Sequence, residues 1–228
     1  MRFRIGGRGH RSSSPSFLVG MQTVADISFS QRVVAVHDAL TASGIPFAFG
    51  GALALAYHVP EPRATNDIDV DIDLELTRES IDSLQLALTG IVEFTNEDIE
   101  LFLRDGQART YWDDFAVDIF FSVHQFHDDA MSKIKWVPFS GRMIPILSAT
   151  HLAVLKALFN RSKDWIDLQE MAYVESFPKL RVMTWLRELL DDPSDDRPIR
   201  IAALRSQRES EPVAKRLFRP LSVPIDET

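Results

Sequence analysis

Asp67 and Asp69 sit two residues apart in the run DIDVDID, among β-branched aliphatic residues. On a strand, alternate side chains share a face, so both carboxylates point the same way. Two like charges held side by side repel, and a divalent cation removes the cost. Hard oxygen donors suit Mg²⁺, with Mn²⁺ as a substitute. Sixteen residues before Asp67 stands the pair Gly50-Gly51, directly after an apolar run. Glycines let the backbone approach a phosphate, and the start of a following helix offers unpaired N–H donors. Taken alone, the pair is a plain strand-to-helix turn.

Asp118 supplies a third acid, in the otherwise apolar run FAVDIFF. An unpaired charge there is expensive. It needs either a cation shared with Asp67 and Asp69 or an arginine such as Arg109; three strand-borne acids favour the shared cation. Asp71 and Asp73 continue the face of Asp69, and an exposed edge strand with acids in water suits them. Asp113-Asp114 reads as a turn. The stretch His124 to Asp129 holds an H-x-x-H pair but no further ligand cluster, and reads as a loop after the Asp118 strand. His58 reads as a helix cap. Trp112, Trp136, Trp165 and Trp185 read as core, with a place beside a nucleotide base as the alternative for Trp165.

The elements that must position these groups follow from pattern and punctuation. Ser28 or Ser30 caps a helix over residues 30–42, which Gly44 ends. A short strand, 47–49, leads into the glycine turn, and ALALAYH opens a helix that Pro60 and Pro62 stop. Residues 67–74 alternate acid and aliphatic as a strand, and Thr77 caps a helix over 78–88. NEDIELFLRDG fits a short helix or an irregular strand equally. Strands are expected at 108–112 and 115–121, and KIKWVPFSGRMIPIL reads as a hairpin bent at Ser140-Gly141. Helical periodicity then holds over 149–160, 163–174, 179–190 and 198–207. The order predicts an α/β (α+β) fold: a mixed half followed by a C-terminal helical region.

Composition sets the boundaries. The chain has 228 residues and no cysteine, so disulfides, thiolate metal sites and cysteine nucleophiles are excluded and a reducing cytoplasm is the expected compartment. No apolar run reaches the 18 or so residues of a membrane span. Residues 1–27 read as a disordered basic arm, although Met21 begins a more globular pattern and an over-extended translation start accounts for the arm equally. The expected divisions are then 28–147 for the core, 148–208 for the helical region and 209–228 for the tail. Net charge is −8, against tight nonspecific nucleic-acid binding. Arg200, Arg205, Arg208, Lys215, Arg216 and Arg219 form a basic C-terminal group that acids nearby dilute.

Three motifs together carry a family resemblance. GG-A-L-x-x-x-x-H from Gly50, P-R-A-T-x-D-I-D-V from Pro62 and V-D-I-F from Val117 resemble the nucleotidyltransferase superfamily with a DNA-polymerase-β-like core, in its AbiEii/MenT-like toxin branch. The resemblance spans residues 47–168. It implies a nucleotidyltransferase-like mixed sheet with flanking helices, and it places the phosphate turn on Gly50 and Gly51 and the metal acids on Asp67, Asp69 and Asp118. Many relatives carry serine where this chain has Gly51, which loses one hydroxyl contact. Arg63 and Thr65 match an R-x-T element of the branch. Lys156 and the segment Arg161 to Leu168 resemble its K…KD..DL segment, so the implied role of Lys156 is to hold the triphosphate, and of Asp164 to orient that lysine or help activate the acceptor. Without the resemblance, Lys156 reads as a solvated helix lysine, Lys163 and Asp167 as an i, i+4 pair, and Asp164 and Asp167 as helix-terminus acids. The implied activity is Mg²⁺-dependent transfer of a nucleotide from an NTP to a hydroxyl. The implied acceptor is the 3′ end of tRNA, and the implied partner a small antitoxin. An aminoglycoside-type or protein acceptor is the alternative, and a non-catalytic nucleotide-binding relative is the third reading.

Overall fold

Ser28 opens the first helix of the computed structural model, which describes residues 27–207. Its hydroxyl accepts from the Gln31 backbone while the Gln31 side chain accepts from the Ser28 backbone, and Gly44 closes the helix at φ 69°. This reciprocal cap satisfies orphan donors that would otherwise fray α1 (Phe29–Ser43). There follow β1 (Phe47–Phe49), α2 (Gly51–Leu55), β2 (Asp67–Glu75), α3 (Arg78–Ala87), α4 (Asn96–Asp105), β3 (Gln107–Trp112), β4 (Phe115–Ser122), α5 (Gln125–Ser132), β5 (Lys135–Phe139) and β6 (Arg142–Ile146). Four more helices complete the described chain: α6 (Ala149–Phe159), α7 (Ser162–Tyr173), α8 (Lys179–Leu189) and α9 (Arg197–Ala203). The expected basic arm, the tail and the cations Arg208, Lys215, Arg216 and Arg219 lie outside the described residues.

The six strands pair in the order β3-β4-β2-β1-β6-β5. β2 runs parallel to β4 and antiparallel to β1, and β1 is parallel to β6, so the sheet is mixed. Its two faces differ in chemistry. Ile68, Val70 and Ile72 of β2 and Val117, Ile119 and Phe121 of β4 are each no more than 1% exposed and build the core face. α4 lays Phe102 against Phe121, ring centroids 5.3 Å apart, and α3 packs beside α4 and α1. The opposite face carries Asp67, Asp69 and Asp71 of β2 with Asp118 and Phe120 of β4. α6 covers part of it, with the Phe159 ring tilted against Phe120, centroids 5.7 Å apart.

Several expectations change on contact with this sheet. β2 is internal, flanked by β1 and β4, so Asp71 is buried at 4% exposure and does not face water on an edge. His124 to Asp129 belong to a helix start: His124 caps α5 and its ring accepts from the Phe126 backbone. NEDIELFLRDG is helical, opened by a reciprocal cap between Thr95 and Asp98. α2 stops at Leu55, and His58 ties the following turn to β6 by donating to the Leu147 carbonyl at 2.9 Å. Trp136 lies exposed on the edge strand β5, while Trp185 packs against Phe126. Trp165 donates to Asn160 and lies under the Arg200 guanidinium, 3.6 Å from the ring centroid. The Ser140-Gly141 bend forms with both residues at positive φ.

Candidate active site

Strand pairing brings the acids together. In the parallel β2–β4 ladder Asp69 is directly opposite Asp118, and Asp67 is one pleat step along, opposite Ala116. Aligned residues on neighbouring strands share a face some 4.8 Å apart, so the three carboxylates lie on one face of the sheet. Asp69 bears the cost. Burial, then the neighbouring charges of Asp67 and Asp118, push its carboxyl up to about 6. Asp71, deeper on the same face, is pushed by burial and by Asp69 to about 8.

The diglycine turn rests on these carboxylates. Gly50 donates its N–H to the Asp69 carbonyl at 2.9 Å. A Cβ on Gly51, at φ +53°, would stand 1.7 Å from Asp69 Oδ2, and one on Gly50 would stand 2.9 Å from Asp71 Oδ2. A side chain at Gly51 would have to take up a left-handed backbone and displace the Asp69 carboxylate. Thr65 donates its hydroxyl to Asp67 from the loop before β2.

Cations face the acids from α6, α7 and the loop holding Arg63. A cleft is lined by Gly51, Arg63, Asp67, Asp69, Lys156, Arg161, Lys163 and Asp164, with Phe120, Leu155 and Phe159 among its apolar walls. Lys156 is not a solvated lysine. It is 3% exposed and its Nζ lies 2.6 Å from Asp167 Oδ2. Arg63 reaches the same carboxylate, Nε to both oxygens at 3.2 Å. The lysine is therefore oriented by Asp167 and not by Asp164, and Asp167 does not pair with Lys163. Asp164 instead holds Arg161, which donates from Nε at 2.7 Å and Nη2 at 3.2 Å. Both acids are buried because helix periodicity puts residues three apart on one face of α7.

Asp118 and Asp69 also border a second, adjoining cleft with Asp105, Arg109, Phe120, Phe159 and Arg161. Here the arginine alternative for Asp118 is observed. Arg109 grips both its oxygens, and its Nη2 lies 3.7 Å from Asp67. Among the described residues no group of three or more His, Asp or Glu side chains is arranged so that it could hold a metal ion. The donor set still fits a hard divalent cation: all its atoms are carboxylate oxygens on one face, and their mutual repulsion is what a cation relieves. Sequence reasoning named Arg109 only as an alternative partner of Asp118, and assigned Arg161 and Asp167 no role in the site although both lie in the segment resembling K…KD..DL. Asp167 gave one signal, a carboxylate on the face of α7 that also carries Leu168 and Met171.

A mixed sheet with adjacent acids on β2 and β4, a glycine turn against them and cations opposite defines the architecture of a nucleotidyltransferase. The solution structure of the antibiotic-resistance factor ANT(2'')-Ia has the same fold, with a TM-score of 0.50 at 13% identity over 70% of this chain and 89% of that one. A nucleotidyltransferase described from Thermotoga maritima aligns at a TM-score of 0.41 and 16% identity over 68% of this chain and 91% of that one. No curated protein matches the sequence. The family model for the nucleotidyl transferase AbiEii toxin of type IV toxin–antitoxin systems matches residues 36–224, and the chain belongs to that family. It is a nucleotidyltransferase. No helix among the described residues is long and apolar enough to cross a membrane.

Proposed function

We propose that this enzyme transfers a nucleoside monophosphate from an NTP to a hydroxyl at the 3′ end of tRNA, and that a cognate antitoxin restrains it. The observation that carries the reading is the opposition of Asp67 and Asp69 on the sheet to Arg63, Lys156, Arg161 and Lys163 across one cleft, with Asp118 opposite Asp69 in the adjoining cleft. A triphosphate is the ligand that such an arrangement suits: its anionic oxygens would face the cations, and the carboxylates opposite would hold the divalent cation that accompanies it. Asp67, Asp69 and Asp118 would hold Mg²⁺, which would neutralise charge on the attacking and leaving oxygens.

The chain's own groups do the rest. The Gly50-Gly51 turn lets the phosphates approach the backbone closely. Lys156 and Arg63, steadied by Asp167, offset the charge that develops on the pyrophosphate. Asp118 takes the proton of the acceptor hydroxyl as its oxygen bonds to the α-phosphorus, the bond from that phosphorus to the β-phosphate bridging oxygen breaks, and pyrophosphate leaves. Thr65 keeps Asp67 oriented by its hydroxyl hydrogen bond.

The family membership supports a toxin with an antitoxin partner. A second reading, a cationic small molecule as acceptor, draws on the net charge of −8 and on the fold shared with ANT(2'')-Ia, an antibiotic-resistance factor. Incubation with Mg²⁺, each α-³²P-labelled NTP and either total RNA or an aminoglycoside panel separates the two. Label is expected in tRNA-sized RNA, and Asp67→Ala should abolish it without unfolding the chain. Full transfer by Asp67→Ala would refute the assignment.

A further inference from the structure

We propose that Arg161 contacts the phosphoryl group in transfer and that Asp164 is its positioning residue. The proposal rests on the nucleotidyl-transfer reading and deepens it. Arg161 borders both clefts that meet at Asp69, the one holding Lys156 and the one holding Asp118. A phosphorus atom passing from nucleotide to acceptor must lie at such a junction. Lys156 and Arg63 sit on the nucleotide side alone and share one carboxylate.

The guanidinium is held as a rigid fork. Nε and Nη2 donate to the two oxygens of Asp164, whose Oδ2 also accepts the Arg161 backbone N–H at 3.2 Å. The plane of the group lies over Phe159, 4.8 Å from the ring centroid. Asp164 is 1% exposed, so its carboxylate is fully committed, and Nη1 of Arg161 has no partner among the described residues. A planar cation locked on one edge and open on the other is preorganised to donate to an oxygen that gains charge only during the reaction. Asp69, Asp118 and Arg161 line one cleft, which puts this guanidinium beside the carboxylates of the reacting centre.

The competing explanation is that Arg161 and Asp164 merely cap α7. Steady-state label transfer with the full chain separates the two, using Arg161→Gln, Arg161→Lys, Asp164→Asn and Asp67→Ala. Thermal melts would confirm that each variant folds. Arg161→Gln is expected to lower kcat about 100-fold, the loss seen when one transition-state donor is removed, with KM for the NTP within about threefold of the parent. Arg161→Lys should recover only part of kcat, since a lysine cannot take the two-point grip. Asp164→Asn should lower kcat less than Arg161→Gln and leave KM similarly unmoved. A folded Arg161→Gln protein with kcat within threefold of the parent, or with only the acceptor KM raised, overturns the proposal. If Asp67→Ala is also active, the nucleotidyl-transfer reading itself has failed; if Asp67→Ala is dead and Arg161→Gln is not, only the role of Arg161 has.

Discussion

Arg109 grips Asp118 across neighbouring strands, Nε to Oδ1 at 2.7 Å and Nη2 to Oδ2 at 2.6 Å. The residues are paired in the β3–β4 register, so the strands themselves bring the fork to the carboxylate. Arg109 thus supplies positive charge at Asp118, and a metal ion held there would have to compete with it for the same oxygens.

Arg109→Gln should therefore lower the Mg²⁺ concentration needed for half-maximal transfer, by several-fold. Its cost to the metal-free protein should be small, about 1 kcal/mol or less, because the arginine is half exposed and solvent screens the pair. Metal titrations of activity and melts in EDTA check both halves. An unchanged Mg²⁺ requirement would show that Asp118 is not a ligand.

Asp71 gives a pH signature. Its folded-state value of about 8 lies far above the usual 3.8, so between those values the native state keeps a proton that the unfolded chain has lost. Stability from this group is full below about pH 4 and declines as pH rises through 8. Asp71→Asn keeps the shape, removes the titration and should melt higher than the parent at pH 8, with a smaller gap at pH 5. Each kcal/mol of difference should appear as roughly 2–4 °C. Melts in EDTA at both values measure it.

Asp167 neutralises two cations at once, and Lys156 beside it is almost fully buried. Asp167→Asn strands the ammonium without a counter-charge. Breaking a buried pair from one side costs about 3–5 kcal/mol, which urea unfolding should register. Asp167→Asn paired with Lys156→Met should recover part of that stability and none of the transfer activity.

Gly51→Ala tests the turn. The added methyl meets Asp69 Oδ2 and a left-handed backbone together. The backbone term alone is about 1–2 kcal/mol, and the carboxylate must also move. Loss of both stability and transfer is expected. Gly141→Ala, whose Cβ meets nothing within 4 Å, shares the positive φ and isolates the backbone share.

Much of this site was legible from residue spacing. Asp67 and Asp69 announced a shared face through i, i+2 alternation, and Asp118 announced itself as a charge in an apolar run. Charge pairing was not legible. Asp164 and Asp167 lie on one face of α7, and periodicity cannot say which of them meets a lysine arriving from α6. That depends on how two helices cross. The acids of β2 also looked alike in sequence; only the strand order, with β1 and β4 on either side, separates buried Asp71 from its half-buried neighbours. α4 carried a readable start in Thr95 and Asp98, which its ambiguous periodicity obscured.

The division of charge between sheet and helices bears on synthesis. A chain emerging from the ribosome makes its anionic strands first and Lys156, Arg161 and Asp167 afterwards. Until α7 has been completed and has folded back, Arg63 has no anchor and the triphosphate no opposing wall. A copy terminated before α7 would lack Asp164 and Asp167, and with them the anchors of Arg161, Lys156 and Arg63.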